Sequence, residues 1–169
     1  LVYFFFGASV GSFLNVLIYR MPYNLSAIEP PSSCPQCGAR IPFFLNIPIF
    51  SWIFLRGRCQ GCRQPISARY PLVELLTGLI WSAVAYANAE NEFGHFENIG
   101  LMLTYLTFSA ILVTVSFIDF DHQIIPDELS LGGLAAGLGV AALLPKLHED
   151  FQKLLPDYAP WPTSLIGAV

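Results

Sequence analysis

Long apolar runs separated by short polar segments organise this chain. Leu1–Tyr19 carries no charge, Leu72–Tyr86 carries only Glu74, Ile99–Ile118 carries none, and Leu129–Leu144 is shorter and rich in glycine. A further apolar stretch opens at Thr163. A helix crosses a bilayer in about 20 apolar residues, within a range of about 17–25. The first and third runs meet that length outright, and the second and fourth meet it with a few flanking residues. The pattern predicts transmembrane helices over 1–19, about 71–87, 99–118 and 128–144, with the start of a fifth at 163. The segment 20–70 between the first two contains Pro22, Pro30, Pro31, Pro35, Pro42, Pro48 and Pro65. Its proline density predicts turns and short strands rather than long helix.

Composition agrees with this division. Of 169 residues 54% are hydrophobic and 12% are charged, whereas a soluble domain is about 45–50% apolar and about 25% charged. So few charges cannot coat a globule in water, which makes a membrane protein the default class. The net charge of −4 argues against nucleic-acid binding, which needs basic stripes. Leu1–Tyr19 lacks the charged leading region of a signal peptide and reads as a retained span. The chain opens on Leu1 and closes in an apolar stretch, and both ends read as cuts.

The basic residues set an orientation. Arg20, Arg40, Arg56, Arg58, Arg63 and Arg69 fall between the first two spans; the only other cations are Lys146 and Lys153, offset by Glu149, Asp150 and Asp157. The positive-inside rule puts the Arg-rich loop in the cytoplasm. Residues 87–98 and 145–162 then face outward, and residues 119–128 face inward. Gly7 with Gly11, and Gly133 with Gly137, share helix faces at a four-residue spacing. That spacing suits close helix packing, although glycine is also simply common in membrane helices.

Two clusters carry candidate chemistry. Cys34-Pro-Gln-Cys37 and Cys59-Gln-Gly-Cys62 are two C-x-x-C pairs, enough for a tetrahedral zinc site. A reducing cytoplasm disfavours disulfides there. Dithiol redox chemistry and unmetallated structural cysteines remain the alternatives. A zinc bound by four thiolates has no open position for hydrolysis and would staple a loop too short to build its own core. The second cluster is Phe117-Ile118-Asp119-Phe120-Asp121-His122-Gln123-Ile124-Ile125-Pro126-Asp127-Glu128. A carboxylate at a span boundary is costly, so Asp119 is a functional candidate by default. Two acids sharing a proton could activate water and protonate a leaving group. The bland readings are that Asp119 and Asp121 are the wet end of a helix and that Asp127 caps the next one. One histidine, His122, is weak evidence for a metal.

Taken together, these pieces resemble the bacterial type IV prepilin peptidases, or type IV leader peptidases. Gly11-Ser12-Phe13-Leu14-Asn15-Val16 with Arg20 and Pro22 is similar to the family's first-helix motif. The two C-x-x-C pairs, Asn46-Ile47-Pro48, Arg69-Tyr70-Pro71 and Val73-Glu74 follow in the family's order. Asp119, Asp121 and Ile125-Pro126-Asp127 resemble its first aspartate motif. The resemblance implies an all-α polytopic membrane protein of the bacterial inner membrane, with four to five transmembrane helices in this chain and a small zinc-ribbon-like cytoplasmic loop. It implies a cytoplasmic four-cysteine zinc-binding loop at 20–70 and a transmembrane peptidase region at 71–169. It implies an aspartyl endopeptidase that cleaves type IV prepilins or type II secretion pseudopilins after a Gly, then N-methylates the new terminus from S-adenosylmethionine. Asp119 would be the first catalytic acid, with Asp121 and Asp127 as weaker candidates. Cys34, Cys37, Cys59 and Cys62 would hold zinc, and Gly57, within an L-x-G-x-C signature, would lie near the methyl donor. The family's second aspartate sits in a G-x-G-D motif that does not occur up to Val169, so it is expected further along. Membrane lipid and a prepilin precursor are the expected partners, with no nucleic acid. The rivals are a membrane thiol oxidoreductase and a zinc-stapled scaffold or transporter.

Overall fold

The computed structural model describes residues 1–29, 31–42, 45–88 and 96–143. Helix α1 spans Val2–Arg20, α2 Phe50–Phe54, α3 Arg69–Asn88, α4 Phe96–His122 and α5 Asp127–Leu143. The fold is all-α, with no strands among the described residues. Among the described residues three stretches are long and apolar enough to cross a membrane: Val2–Tyr23, Arg69–Ala87 and Ile99–His122. At 17 residues, α5 lies at the short end of what a bilayer requires. The expected fifth helix from 163 lies outside the described residues.

Helices α1 and α4 stop for local reasons. Arg20 sits in the last turn of α1, where a cation complements the helix dipole. A 3-10 turn at Met21–Tyr23 then leads to Asn24 in the left-handed region, φ 54°, which turns the chain out of the helix. Helix α4 runs on through the polar residues after Ile118, because backbone hydrogen bonding does not require apolar side chains. It stops where Gln123 takes φ 54° and Pro126 bars continuation. The sequence pattern puts the end of this element at 118. Asp119 instead lies inside the last helical turn, and its carbonyl accepts from Gln123 N at 2.8 Å.

Helices α1 and α3 pack antiparallel along a glycine seam. A Cβ at Gly7 would fall 2.8 Å from the Trp81 Cβ, one at Gly11 2.8 Å from the Glu74 Cα, and one at Gly78 2.9 Å from the Phe4 carbonyl oxygen. Only hydrogen permits this approach. By contrast, Gly133 and Gly137 on α5 meet nothing within 4 Å among the described residues. Asn15, buried on α1, donates from Nδ2 to the Tyr70 carbonyl oxygen at 3.0 Å, joining the two helices farther along the seam. Helix α4 covers the pair. Leu14, Ile18, Val73, Val113 and Ile118 form the core where the three meet. The buried hydroxyls of Thr77 and Thr114 bond back to carbonyl oxygens four residues earlier, whereas the buried Trp81 Nε1 has no hydrogen-bond partner among the described residues. Phe6, Phe13, Leu79, Leu103, Phe108 and Leu112 are exposed on the outer faces. That much apolar surface is what lipid, not water, would cover.

Candidate metal centre and the acidic turn of α4

The loop between α1 and α3 is not built from short strands as its prolines predict. Its only sheet-like pairings among the described residues are two isolated bridges, Ser33 with Arg40 and Arg58 with Pro65. Each bridge closes a small knuckle, and the two knuckles repeat each other. Cys34 N donates to Ala39 O at 2.9 Å and Gly38 N to Cys34 O at 2.8 Å; Cys59 N donates to Gln64 O at 2.9 Å and Arg63 N to Cys59 O at 3.0 Å. The residue after the second cysteine of each pair turns through positive φ, 68° at Gly38 and 61° at Arg63. Gly38 therefore meets a conformational need, whereas the second knuckle imposes the same turn on an arginine. Gly61 meets no such demand: a Cβ there would lie 3.6 Å from the Cys37 sulfur, an ordinary van der Waals contact.

The knuckles bring the four thiols together. All four sulfurs lie within 4.8 Å of one another, and Cys34 Sγ is 3.8 Å from Cys62 Sγ. A tetrahedral zinc with Zn–S of about 2.3 Å holds its sulfurs about 3.8 Å apart. No pair is joined as a disulfide, and the sulfurs form one set rather than two separate dithiols. The donor set fits a metal ion. Its electrostatics favour one as well. Backbone N–H groups of Cys62 and Gly61 hold the Cys59 thiol at about 6, ready as a thiolate. The Gln64 backbone N–H favours the Cys62 thiolate too, but burial and the sulfurs of Cys37, Cys59 and Cys34 outweigh it and push Cys62 up to about 11. Crowded thiols resist sharing negative charge, and a divalent cation relieves that conflict.

Glu74 joins this loop to α3, and Trp52 braces the loop from within. Glu74, the charged residue of the second apolar run, is buried, and its Oε2 accepts from Ile49 N at 2.7 Å. Ile49 sits at φ 64°, an uncommon conformation for a β-branched residue. Trp52 Nε1 donates to Ile66 O at 3.0 Å. Gly57, at φ 65°, lies under the Trp52 ring, where a Cβ would come within 2.8 Å of Cζ2. Its N–H donates to Trp52 O and its carbonyl accepts from Ile66 N. The positive φ and the close indole account for a glycine at this position. The sequence singles out Gly57 and marks Glu74 as a lone charge in an apolar run, but it gives Glu74 no role and Trp52 no notice, since each acts on backbone atoms that no residue spacing encodes.

The three aspartates of the acidic segment part company. Asp121 pairs with Arg69 at the start of α3, and the Arg69 guanidinium also lies 5.7 Å from the centroid of the Phe117 ring. Asp127 is the first residue of α5, in the first turn, where its charge complements the helix dipole. The N–H groups of Leu129 and Ser130 go to Pro126 O. Among the described residues Asp119 is exposed, with no ion pair or side-chain hydrogen bond. His122 packs edge-on against Tyr23 with centroids 5.5 Å apart and stands in no group of metal-ligating side chains among the described residues. A cleft lined by Ser9, Ser12, Phe13, Arg20, Ile28 and Asn46 separates α1 from the loop.

Residues 5–88, from α1 to the end of α3, match the family of the bacterial peptidase A24 N-terminal domain. The chain is 44% identical over 138 residues to a prepilin leader peptidase/N-methyltransferase of Myxococcus xanthus, covering 82% of this chain and 39% of that protein. It is 42% identical over 159 residues to one from Aeromonas hydrophila, covering 80% of this chain and 52% of that protein. The chain belongs to the prepilin peptidase family. A relative from Aeromonas salmonicida, 36% identical, is matched over 98% of this chain and 59% of its own length, so its match takes in α4 and Asp119. The chain spans about half the length of the curated prepilin peptidases it matches. No solved structure matches it.

Proposed function

We propose that this chain is part of an inner-membrane aspartyl endopeptidase that removes the leader of a type IV prepilin or pseudopilin after a Gly on the cytoplasmic side and methylates the new N-terminus. The relatives' printed names support the substrate and the two activities. The observation that carries the mechanism is the separation of the carboxylates. Asp121 is tied to Arg69 and Asp127 opens α5, while Asp119 stands exposed on the last turn of a membrane-length helix. One acid of a dyad must be ionised to take a proton from water, and its partner must be protonated to give one to the departing amine. Asp119 supplies the first carboxyl. The second comes from the part of the family's length that this chain does not span. Water's oxygen bonds to the scissile carbonyl carbon, the C–N bond breaks, and the amine leaves with the donated proton.

Cys34, Cys37, Cys59 and Cys62 would hold a structural zinc with no open position, so the ion would fix the loop rather than polarise a carbonyl. S-adenosylmethionine would supply the methyl group, with Gly57, under the Trp52 ring, as the residue expected near it. Membranes carrying the whole gene product, mixed with a prepilin precursor, should yield a product shortened to the residue after a Gly and heavier by one methyl group. A precursor of unchanged mass would overturn the reading.

A further inference from the structure

Arg69 is the first residue of α3 and the last basic residue of the cysteine loop. Its guanidinium pairs with Asp121 and lies over the Phe117 ring. Phe117 and Asp121 are four residues apart, stacked on one face of α4 across its final turns. A single side chain therefore grips that face at two points, one ionic and one cation–π. Asp119 lies between them in sequence. A residue two positions away projects from a different side of a helix, which leaves the Asp119 carboxylate clear of Arg69.

We infer that Arg69 is a positioning residue that locks the acidic turn of α4, and with it Asp119, to the metal-stapled loop. The linkage behind Arg69 is short. The Arg58–Pro65 bridge closes the second cysteine knuckle. The next residue, Ile66, is held on both sides: its N–H donates to Gly57 O at 2.7 Å and its carbonyl accepts from Trp52 Nε1 at 3.0 Å. Ser67 Oγ then accepts from Arg69 N at 3.2 Å. The position of the second knuckle is passed through this segment to Arg69 and on to α4. The Arg69 and Asp121 side chains are 32% and 26% exposed, so the pair is screened less than a fully exposed surface pair. The inference rests on the reading of Asp119 as a catalytic acid.

The test uses the whole gene product in detergent, taking only the monodisperse, metal-loaded fraction of each variant. Arg69→Gln, Asp121→Asn, the double variant and the exchanged pair Arg69→Asp with Asp121→Arg are compared for precursor cleavage. Misplacing a catalytic group by about 1 Å costs roughly a hundredfold. Each single variant should therefore lose about tenfold to a hundredfold in kcat with KM unchanged. The double variant should be no worse than the worse single, and the exchanged pair should regain most of the loss. Singles with wild-type kcat, single losses that multiply in the double variant, or an exchanged pair no better than the double would overturn the inference. Asp119→Asn is run beside them. If it cleaves normally, the catalytic reading of Asp119 falls. If it is dead while Arg69→Gln is fully active, only the role of Arg69 falls.

Discussion

Asn15, Gly11 and Glu74 lie along one stretch of the α1–α3 seam, and each meets a different demand of joining two apolar helices. Gly11 lets the backbones touch, so Gly11→Leu drives a side chain into the Glu74 backbone 2.8 Å from its Cβ. Overpacking of this kind costs about 1–3 kcal/mol or more, and a lowered thermal unfolding midpoint in detergent would register it; an unchanged midpoint would mean the seam is looser than these distances imply. Asn15→Leu removes the bond to the Tyr70 carbonyl, with an expected loss of about 0.6–2 kcal/mol. Close packing at Gly11 is one reading of its four-residue spacing from Gly7, and Asn15 stands out in the sequence as the one amide of an uncharged span. Gly7 and Gly11 are, however, covered by α3, so they bind the protein's own helix rather than leaving a groove for a substrate helix. Glu74 is legible only as an oddity. Its partner is the backbone N–H of Ile49, and no side-chain pattern announces a main-chain donor.

At the scale of elements, the cysteine loop gives up its cluster of four thiols to sequence reading but not its shape. Two C-x-x-C pairs identify the four sulfurs. The twofold repetition of the knuckles resides in backbone hydrogen bonds and in the positive φ of Gly38 and Arg63, which a glycine in one knuckle and an arginine in the other conceal. A metal-stapled loop predicts that chelator makes all four thiols react together with an alkylating reagent, whereas a redox dithiol would react in pairs without chelator. Acid should compete with the metal in a defined way. Cys59 is lowered to about 6, so above that pH its proton is already gone and below it one more proton must be displaced. The plot of log affinity against pH should steepen by one proton as pH falls through about 6; a slope that flattens there would contradict this assignment. The end of α4 departs from the hydropathy pattern for a related reason. Hydropathy marks where lipid ends, and the helix continues into Asp119-Phe120-Asp121-His122 until Gln123 and Pro126 stop it.

For the molecule as a whole, apolar run length predicts the three membrane-length helices well, because the bilayer imposes one dimension on all of them. What the pattern cannot supply is the pairing that differentiates the acids: Arg69 with Asp121 joins residues far apart in the chain, and only the packed α3–α4 contact brings them together. In the proposed orientation the loop and the acidic turn share the cytoplasmic side, so after metal removal a membrane-impermeant thiol reagent should label the cysteines in inside-out vesicles and not in right-side-out ones. The proposed dyad needs two carboxyls, and this chain supplies Asp119 alone for it, so residues 1–169 expressed by themselves should leave a prepilin precursor uncut. The most direct measurement is leader cleavage by the whole gene product carrying Asp119→Asn, a substitution that keeps shape and removes the ionisable proton. Loss of cleavage by a factor of about 10³ or more, with the metal still bound and the protein still monodisperse, is the expected result for a catalytic acid; cleavage at the wild-type rate would contradict the account.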